Sequence, residues 1–471
     1  MESFEFGLVR KLCTCRNLLV RSYPSSVREI RFLTMHETSF RHSLWKLFAG
    51  TWLYWLLGNG FTKTPQLKSI SSLRAEEPVV NTDHCDGGFE YSDAILIEND
   101  ARFVFQFIQT AMDNGATVTN YTEAKSVTRR SDGLWSVDIL DKVSGETFSV
   151  YSKVLVNACG PLVDQYNQLS GQTTTHRHKF SKGVHLIVNQ ITQSNRILTF
   201  FADDGRLFFA IPMGNKTCIG TTDTRVDSPF PSVTDDDREF ILNNINKRLN
   251  LQAPLTRQDI ISERCGVRPL VVKGDGNESS DWLQMSRKHA IEASHSNRYI
   301  SIFGGKLTDC INVGEEICQE ISKMEISFPH DSEKWYGEPP SSVRDGFLRQ
   351  CHALNLDEIS PNSAGEKQGE RLWRLYGERA FSLLDAIGAD ATAAKILVAG
   401  SGYMKCEFEY IAKHEMVTTL EDFLRRRSKL ALTRRHTDLK ASKGLREACD
   451  ILFGEQAQSK WDAYFQTTQV F

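Results

Sequence analysis

The stretch SIFGGKLTDCINVGEEI, Ser301 to Ile317, places two glycines, a lysine and a threonine between an apolar run and an amphipathic segment. The run from Tyr299 to Phe303 predicts a short buried strand, because β-branched and aromatic residues stop at a glycine. Apolar residues then recur every four positions from Val313 to Ile321, which is the spacing of one helix face. The stretch therefore predicts a strand, a tight turn and a helix.

Gly304 and Gly305 lie at this turn, and Lys306 and Thr308 follow them. Such a turn lets another group approach the main chain closely and directs unpaired N–H groups towards it. The same pattern also fits a plain tight turn with a solvated lysine, and most isolated motifs of this kind are plain turns. The rest of the chain decides between these two interpretations.

The composition is that of an ordinary soluble globular protein that is long enough for two or three domains. The 471 residues are 40% hydrophobic and 24% charged, and the formal net charge of −3 gives no indication of nucleic-acid binding. Eleven cysteines are scattered along the chain without a CxxC pair. This pattern favours a reducing compartment and speaks against a disulfide framework or a metal site.

Periodicity divides the chain into a mixed core of residues 1–330 and a helical C-terminal domain of residues 340–471. The polar, proline-containing segment between them is typical of an interdomain linker. Most of a substrate-domain sheet is expected within residues 175–295. The other predictions for the core are helices at 1–58, 100–112 and about 235–249, an irregular segment at 60–88, and strands at 116–124 and 133–141.

Two further segments each have two interpretations. The segment Ser43–Gly58 is apolar on all sides, is interrupted by Lys46 and is too short to span a bilayer of about 30 Å. We expect a buried helix, and the alternative is an aromatic surface that enters a membrane interface. Six of the eleven residues from Arg425 to Arg435 are basic. Such a run is usually a solvated helix face, and the alternative is a patch that attracts anionic lipid.

Six separated stretches carry a family resemblance. They are GFEYSDAILIENDAR (88–102), VLVNACGPLVD (154–164), KGVHLIV (182–188), IGTTDTR (219–225), CGVRPL (265–270) and FGGKLTD (303–309). Together they resemble the FAD-dependent glycerol-3-phosphate dehydrogenases, and residues 409–432 resemble the helical C-terminal domain of that family. The resemblance implies an α/β fold of the glutathione-reductase-like, FAD-dependent oxidoreductase type, with FAD as the cofactor.

The resemblance gives the opening stretch a role. The GGKLT turn of the family lies against the flavin, so Gly305, Lys306, Leu307 and Thr308 are expected to bind FAD. Reduced flavin accumulates negative charge, which a helix N-terminus and a nearby cation stabilise. Lys306 is expected to supply that cation.

Two other residues are expected to act on the substrate. Arg268 precedes Pro269, whose fixed φ stiffens the chain, and a guanidinium can hold a phosphate with two parallel hydrogen bonds. An internal salt bridge is the alternative for Arg268, but the resemblance favours the substrate phosphate. His185 either accepts the hydroxyl proton that alcohol oxidation releases or is a core histidine bonded to the backbone.

The resemblance also points to the adenosine side of FAD. Ala124 matches a strand that meets the adenine, and Asn157 and Gly160 match a turn near the ribose and the pyrophosphate. Thr222 and Asp223 follow a strand, and we expect them to line the site without a chemical role.

One part of the family pattern is missing from this sequence. The opening strand, the GxGxxG turn and its helix have no counterpart, and neither has a later loop that carries an arginine and a tyrosine to the substrate. Without this βαβ unit the pyrophosphate lacks a helix N-terminus and the parallel sheet lacks a central strand. We therefore expect the chain as written to bind FAD poorly, so an incomplete gene sequence or a catalytically impaired remnant is the alternative to a working enzyme.

The expected reaction is FAD-dependent oxidation of sn-glycerol 3-phosphate to dihydroxyacetone phosphate, with electrons passed to a quinone. An oxidase that uses molecular oxygen is the closest alternative. The expected partners are glycerol 3-phosphate and the quinone, without nucleic acid or metal, while peripheral membrane contact and a homodimer are left open. The expected location is the cytoplasm, and peripheral attachment to the inner face of the cytoplasmic membrane is left open.

Overall fold

The structure is a computed structural model that describes residues 6–274, 288–328, 334–361 and 366–467. The strands in these ranges form one large sheet and two small ones. In chain order they are β1 (Val27–Glu37), β2 (Gln66–Lys68), β3 (Cys85–Leu96), β4 (Thr122–Arg129), β5 (Trp135–Asp141), β6 (Thr147–Ser152), β7 (Leu155–Asn157), β8 (His176–Asn189), β9 (Ile197–Phe201), β10 (Leu207–Met213), β11 (Lys216–Gly220), β12 (Thr224–Val226), β13 (Ser262–Lys273), β14 (Ala290–Ser294) and β15 (Tyr299–Phe303).

Helices alternate with the strands first and then make up the last part of the chain. In order they are α1 (Phe6–Ser22), α2 (Leu44–Leu57), α3 (Ile70–Glu76), α4 (Asp100–Asp113), α5 (Val163–Leu169), α6 (Asp235–Arg248), α7 (Cys310–Ser322), α8 (Ser341–Ala353), α9 (Leu356–Ile359), α10 (Gln368–Tyr376), α11 (Phe381–Ala389), α12 (Lys405–His414), α13 (Leu430–Thr433), α14 (His436–Ala441), α15 (Lys443–Phe453) and α16 (Ala457–Thr467). From Ser341 onward the described residues form these helices, a π-helix (Asp422–Arg427), 3₁₀ turns and one isolated bridge.

The large sheet has the strand order β12-β8-β11-β10-β9-β1-β3-β2, and β13 also pairs with β8. β1 runs parallel to β9, with Phe32 opposite Ile197, whereas its other neighbour β3 is antiparallel. The remaining pairings in this sheet are antiparallel. Six of its nine described strands, β8 to β13, lie within the residues 175–295 that were expected to hold most of the sheet, and β1, β2 and β3 extend it.

The prediction that residues 1–58 are helical is wrong for Val27–Glu37, which form β1. This strand sends Leu33 and Met35 into the hydrophobic core beneath the sheet, while Phe32 on the other face lines a cavity. The core partners of β1 come from strands and a helix far along the chain. Its conformation is therefore decided by long-range pairing, which the local pattern of the N-terminal segment does not contain.

Two small sheets complete the core. In one, β15 is parallel to β7 and antiparallel to β14, and in the other β4, β5 and β6 form a meander. The strand predicted at 116–124 begins only at Thr122, since Tyr121 has a left-handed backbone (φ 56°) that interrupts an extended chain. The hydroxyl of Tyr121 donates to Asp422 in the C-terminal helices, which holds the residue in place.

The C-terminal helices pack around a core of their own, in which Phe347 and Phe423 are fully buried. A buried ion pair ties this helical domain to the first part of the chain: Arg102 Nη1 on α4 donates to Glu415 Oε2 at 2.5 Å. The same guanidinium donates to the backbone oxygen of Leu375. The contact between the two parts of the molecule is thus partly ionic and shielded from solvent.

The basic run Arg425–Arg435 is solvated only in part. Arg435 donates to the backbone oxygens of Gln258 (2.7 Å) and Ile260 (3.0 Å), which lie in the segment that precedes β13. Arg427 is buried and its guanidinium lies over an aromatic ring, whereas Arg425 is exposed. Part of the run therefore fastens the helical domain to the sheet-containing core, and part of it faces solvent.

The apolar segment Ser43–Gly58 forms a helix, α2, but the prediction that this helix is buried is wrong. Thr51 is its only buried residue, whereas Trp45 (67% exposed) and Leu56 (61% exposed) project into solvent. One side of α2 packs on α1 and β3, and no described residue covers the opposite side. Within the described ranges, no helix combines the length and the hydropathy that crossing a membrane requires.

Candidate active site

A cavity of about 1860 Å³ lies between the large sheet and the helical domain. Residues of β1, β8, β11 and β13 form one wall, and segments around Arg371, Tyr403 and Lys429 form the other. The predicted site residues that line it are His185, Arg268, Leu307 and Thr308. The structure thus brings both expected substrate residues and part of the expected flavin turn to one space.

Arg268 lies on β13 opposite Ser181 of β8. Its Nη2 donates to Thr221 Oγ1 at 3.2 Å, and its Nη1 lies 3.6 Å from Asp223 Oδ1. A carboxylate at that separation balances charge but is beyond ordinary hydrogen-bond distance. The salt-bridge alternative is therefore present in a weak form, while about a third of the Arg268 side chain stays accessible (31% exposed).

Gly183 on β8 is what allows the guanidinium of Arg268 to lie close against the sheet. A Cβ atom on Gly183 would come within 2.8 Å of both terminal nitrogens of Arg268. The residue opposite Gly183 in the sheet is Gly266, where a Cβ atom would meet nothing within 4 Å. Of these two paired glycines, only Gly183 makes room for the guanidinium.

His185 lies two residues after Gly183, on the same face of β8. It is opposite Arg264 on β13 and Gly220 on β11. Burial lowers the pKa of His185, and the positive charges of Arg264 and Arg268 lower it further, to about 4. The imidazole is therefore neutral near pH 7, and a neutral imidazole can accept a proton.

Thr222 and Asp223 hold the sheet together and, contrary to expectation, are not among the described residues that line the cavity. Thr222 Oγ1 accepts a hydrogen bond from the Val184 amide at 3.0 Å, and Asp223 accepts one from the Ser181 hydroxyl. The neighbouring Thr221 lines the cavity instead. Sequence reasoning passed over Thr221 because nothing in the motif distinguishes the three successive polar residues.

Arg264 was also missed, although a signal for it was present. It lies four residues before Arg268, and residues an even number of positions apart share one face of a strand. Arg264 lines the same cavity and donates to Asp100 at 3.0 Å. The pair of arginines makes this wall of the cavity electropositive, which suits an anionic substrate.

The turn after β15 has the predicted strand–turn–helix form. Gly304 (φ 61°) and Gly305 (φ 94°) adopt left-handed backbone conformations, and a 3₁₀ turn leads into α7. The first amides of such a helix have no partner within it. Leu307 and Thr308 line the cavity, whereas Gly305 and Lys306 are exposed and are not among its lining residues.

Both glycines of this turn are required by contacts inside the protein. A Cβ atom on Gly304 would lie 2.3 Å from Val271 Cγ2, and one on Gly305 would lie 3.2 Å from His289 Cβ. The sequence interpretation was that a bare backbone admits the flavin. The contacts with Val271 and His289 are a separate reason for glycine at positions 304 and 305. The approach of the flavin ring to this turn stays a prediction.

The residues expected on the adenosine side, Ala124, Asn157 and Gly160, are not among the lining residues of the described cavity. Ala124 lies beside a bulge in β4. Asn157 is buried, and its Nδ2 donates to Val163 O at 2.9 Å and Asn167 Oδ1 at 2.8 Å, so this side chain closes a turn of the protein itself. Gly160 has a φ of 55° and open space at the position of a Cβ atom.

The parallel pairing of β7 and β15 nevertheless brings the residues expected near the pyrophosphate and the residues expected near the flavin to neighbouring strands. Ser301 is opposite Asn157, so the turns that contain Gly160 and Gly304 leave the sheet at the same edge. Open α/β sheets bind dinucleotides outside the carboxyl ends of their parallel strands. The backbone is open at Gly160, and Leu307 and Thr308 of the other turn line the cavity. This arrangement fits a dinucleotide such as FAD, while the contacts of the individual residues with its flavin and pyrophosphate stay predictions.

The described residues give no sign of a metal centre. In the ranges that the structure covers, no three His, Cys, Asp or Glu side chains are grouped as metal ligands would be. All eleven cysteines, which lie within those ranges, are free thiols.

The chain matches two families along most of its length. Residues 48–306, more than half of the chain, match the FAD dependent oxidoreductase family. Residues 347–462 match the C-terminal domain of alpha-glycerophosphate oxidase. The two matches correspond to the sheet-containing core and to the helical domain.

Three similar proteins come from bacteria. A glycerol-3-phosphate dehydrogenase of Pseudomonas aeruginosa is 30% identical over 441 residues, which cover 92% of this chain and 82% of the relative. A D-erythritol 1-phosphate dehydrogenase of Brucella abortus is 28% identical, over 91% of this chain and 84% of the relative. The fold resembles the solved glycerol-3-phosphate dehydrogenase from Bacillus halodurans complexed with FAD, with a TM-score of 0.70 at 24% identity, over 98% of this chain and 84% of that one. The chain therefore belongs to the FAD dependent oxidoreductase family and, within it, to the glycerol-3-phosphate dehydrogenases.

Proposed function

We propose that the chain oxidises sn-glycerol 3-phosphate to dihydroxyacetone phosphate with FAD as its cofactor. The observation that carries this proposal is the placement of Arg268 and a neutral His185 on adjacent strands that line one cavity. A guanidinium is suited to a phosphate, and a neutral imidazole is suited to a hydroxyl proton. The substrate for which the Pseudomonas aeruginosa relative is named contains both groups.

In this mechanism each residue has one task. Arg268 binds the phosphate, and Thr221 orients the guanidinium. His185 takes the proton of the C2 hydroxyl while C2 loses its hydrogen together with the bonding electron pair, as a hydride, which leaves a ketone. FAD, when bound, supplies the acceptor of that hydride. Lys306 and the first amides of α7 offset the negative charge that the transfer places beside the turn.

Substrate binding also changes the basicity of His185. Arg268 is one cause of the low pKa of His185, and the two negative charges of a bound phosphate would offset the charge of that arginine. The pKa of His185 therefore rises when the substrate binds. The base becomes effective only when there is a hydroxyl to deprotonate.

A four-carbon polyol phosphate is a second candidate substrate, because the relative of Brucella abortus is named for D-erythritol 1-phosphate and is nearly as similar as the other. Both molecules carry a phosphate and a secondary hydroxyl, so Arg268 and His185 would act alike on either. A cavity of about 1860 Å³ has room for both. The two substrates are therefore compared in the same assay.

We further propose that the electrons pass to a quinone and that the protein attaches peripherally to the inner face of the cytoplasmic membrane. The exposed face of α2 supports this attachment, since Trp45, Phe48 and Trp52 form a row of edge-to-face ring contacts there and Leu56 extends it. Large aromatic side chains on an exposed helix favour the interface between lipid and water. Molecular oxygen is the competing acceptor.

The test is dye-linked turnover without oxygen, with purified protein supplemented with FAD and with glycerol 3-phosphate or erythritol 1-phosphate as substrate. Arg268→Gln is expected to raise KM by at least about 100-fold, because two charge-assisted hydrogen bonds are lost. Arg130→Gln, in an exposed hairpin turn, is the matched control and should leave KM unchanged. Peroxide formation in air would identify an oxidase instead.

Two results would contradict the proposal. Protein that stays colourless after FAD is added would favour the impaired remnant. Flavin-loaded protein that turns over neither polyol phosphate would show that the substrate has been misassigned.

A further inference from the structure

Two histidines that the proposed function does not use hold the turn from Gly304 to Asp309. His178 on β8 contacts the turn at Gly304, and His289, immediately before β14, contacts it at Asp309. The side chain of His178 is fully buried and that of His289 is 5% exposed. The turn is thus held at both of its ends by groups from outside it.

The contact at Gly304 requires a neutral ring. The Gly304 amide donates to Nε2 of His178 at 2.9 Å, so this nitrogen must offer a lone pair and the ring hydrogen must be on Nδ1. Asp164 is the charged group that faces this ring, with Oδ2 3.8 Å from Nδ1, and Phe180 and Phe303 pack against it. Burial lowers the pKa of His178, and attraction to Asp164 opposes this only in part.

The contact at Asp309 requires the opposite protonation state. His289 Nδ1 lies 2.6 Å from Asp309 Oδ2, and Nε2 lies 2.7 Å from Glu316 Oε2. Ionised carboxylates only accept hydrogen bonds, so both ring nitrogens carry a hydrogen and the ring is a cation in this geometry. His289 therefore links the start of α7 to a position further along the same helix.

The groups around His289 favour the charged form. Burial by itself would raise the pKa of Glu316, but hydrogen bonds from His289, Asn312 and Lys11 outweigh it and lower that pKa to about 2. The other oxygen of Asp309 accepts from the thiol of Cys15 at 3.4 Å. The cluster thus holds two carboxylates, with His289 and Lys11 as the cations that balance them.

We propose that His178 and His289 are positioning residues that fix the Gly304–Asp309 turn, so that Leu307 and Thr308 keep their place at the cavity. The inference rests on the proposed function, in which this turn lies against the reduced flavin. It requires the ring of His178 to be neutral, because a protonated His178 would set a donor against the Gly304 amide. The turn should therefore loosen when low pH protonates His178.

Amide hydrogen exchange of the FAD-free protein, followed peptide by peptide, tests the proposal directly. His178→Gln and His289→Gln should each speed exchange in the peptide that contains Gly304–Asp309 by at least about fivefold, since each loses a hydrogen bond that holds the turn. His295→Gln is the matched control, because exposed His295 bonds to Glu320 on the same α7 helix (2.9 Å) and should change nothing. Wild-type exchange in both test variants would overturn the proposal.

A measurement on the unaltered protein avoids variants that fail to fold. In protein with ¹⁵N-labelled histidine, nuclear magnetic resonance near pH 7 should show a buried neutral ring with its hydrogen on Nδ1 and a buried ring with hydrogens on both nitrogens. In the same protein, exchange at the turn should quicken at low pH, where His178 becomes protonated, after correction for the intrinsic rate. The absence of a doubly protonated buried ring near pH 7 would contradict the assignment.

The flavin-loaded enzyme gives a third measurement. His289→Gln should lower the midpoint potential of the flavin, because it removes a positive charge behind the turn, and His295→Gln should not. Suppose that the enzyme is active and that His178→Gln and His289→Gln keep the flavin potential and the amide exchange of the wild type. That result would overturn the positioning role and leave the proposed function intact. Inactivity of the wild type towards both polyol phosphates, with exchange responding as expected, would contradict the proposed function alone.

Discussion

Arg268 and Asp223 face each other across 3.6 Å, measured from Nη1 to Oδ1, in a contact longer than a hydrogen bond. The same oxygen of Asp223 accepts from the hydroxyl of Ser181. Asp223 therefore partly neutralises the charge of the guanidinium without forming a hydrogen bond to it. An anion can bind Arg268 without breaking a hydrogen bond to Asp223, but it then lies near the negative charge of that carboxylate.

Replacing Asp223 by asparagine should lower KM for the phosphate substrate by about fivefold at low ionic strength, because one repulsive charge near the phosphate is removed. Added salt should shrink the effect, since salt screens partly exposed charges. Steady-state kinetics at two salt concentrations provide the measurement, with Asp132→Asn in an exposed turn as the control. An increase in KM would mean that Asp223 chiefly orients Arg268.

Gly183→Ala should raise KM by about tenfold and leave the thermal midpoint nearly unchanged. The added Cβ atom would come within 2.8 Å of the guanidinium, which is the movable end of a long side chain and can shift away at little cost in stability. Gly266→Ala, at the paired position with open space, is the matched control. Equal KM values for the two variants would show that the guanidinium does not bind the phosphate from this position.

The fall of kcat/KM at acid pH should have its midpoint near pH 4 and not near the ordinary histidine pKa of about 6.5. The reason is that kcat/KM reports ionisations of the enzyme without substrate, in which the pKa of His185 is lowered to about 4. Activity should therefore hold from pH 8 down to about pH 5 and fall below that. Arg264→Gln removes one cause of the shift and should move this midpoint upward. A midpoint at about pH 6.5 in the wild type would contradict His185 as the base.

Arg102→Ala should destabilise the protein by about 3–5 kcal/mol, because it leaves Glu415 buried without its partner. The double variant Arg102→Met with Glu415→Leu should recover most of this loss, since both charges of the pair are removed together. Urea unfolding followed by the helical signal is the measurement. Lys405→Ala, which breaks a partly exposed pair with Glu409, should cost less than about 1 kcal/mol.

Trp45→Ser combined with Leu56→Ser should abolish sedimentation with phospholipid vesicles, because these side chains form the exposed face of α2. Arg435→Gln should leave vesicle binding unchanged, since its guanidinium bonds to backbone oxygens of the segment that precedes β13. Val143→Ser with Tyr151→Ser, both exposed on the small meander, is the control for loss of apolar surface. If Arg435→Gln loses vesicle binding while the variant of Trp45 and Leu56 keeps it, the basic run Arg425–Arg435 is the part that attracts anionic lipid.

The parts of the fold that depend on local spacing could be predicted from the sequence. β15 occupies Tyr299–Phe303, and α7 follows the glycine turn, because the strand-like run, the glycines and the helical period are all present in one short stretch. α4 and α6 were predicted for the same reason, and both have side-chain caps at their N-termini, Asn99 and Thr234. In each case the signal lies within the element itself.

The errors concern features that depend on distant partners. β1 is extended because β3 and β9 pair with it, and the inward direction of Arg435 is set by oxygens that lie more than a hundred positions earlier. α2 is exposed although its composition suits a core, because its neighbours cover only one side. Composition and period describe a segment but do not identify what packs on it.

The same limit applies to the candidate site. Family motifs named Arg268 and His185, and the structure brings both to one cavity, while their chemical roles stay predictions. His178 and His289 lie outside the quoted motifs and meet the glycine turn only in the folded chain. No spacing rule would have connected them to Gly304 and Asp309.

One face of β8 carries Ser181, Gly183 and His185, of which His185 lines the cavity, while Val184, Leu186 and Val188 on the other face fill the core. A single-codon insertion or deletion inside this strand would exchange the two sets, bringing the imidazole into the core and valine into the cavity. The residues that β8 places at the cavity can therefore change only by point substitution. Related proteins of different length should differ in the connecting loops and keep the fourteen residues of β8 without insertion or deletion.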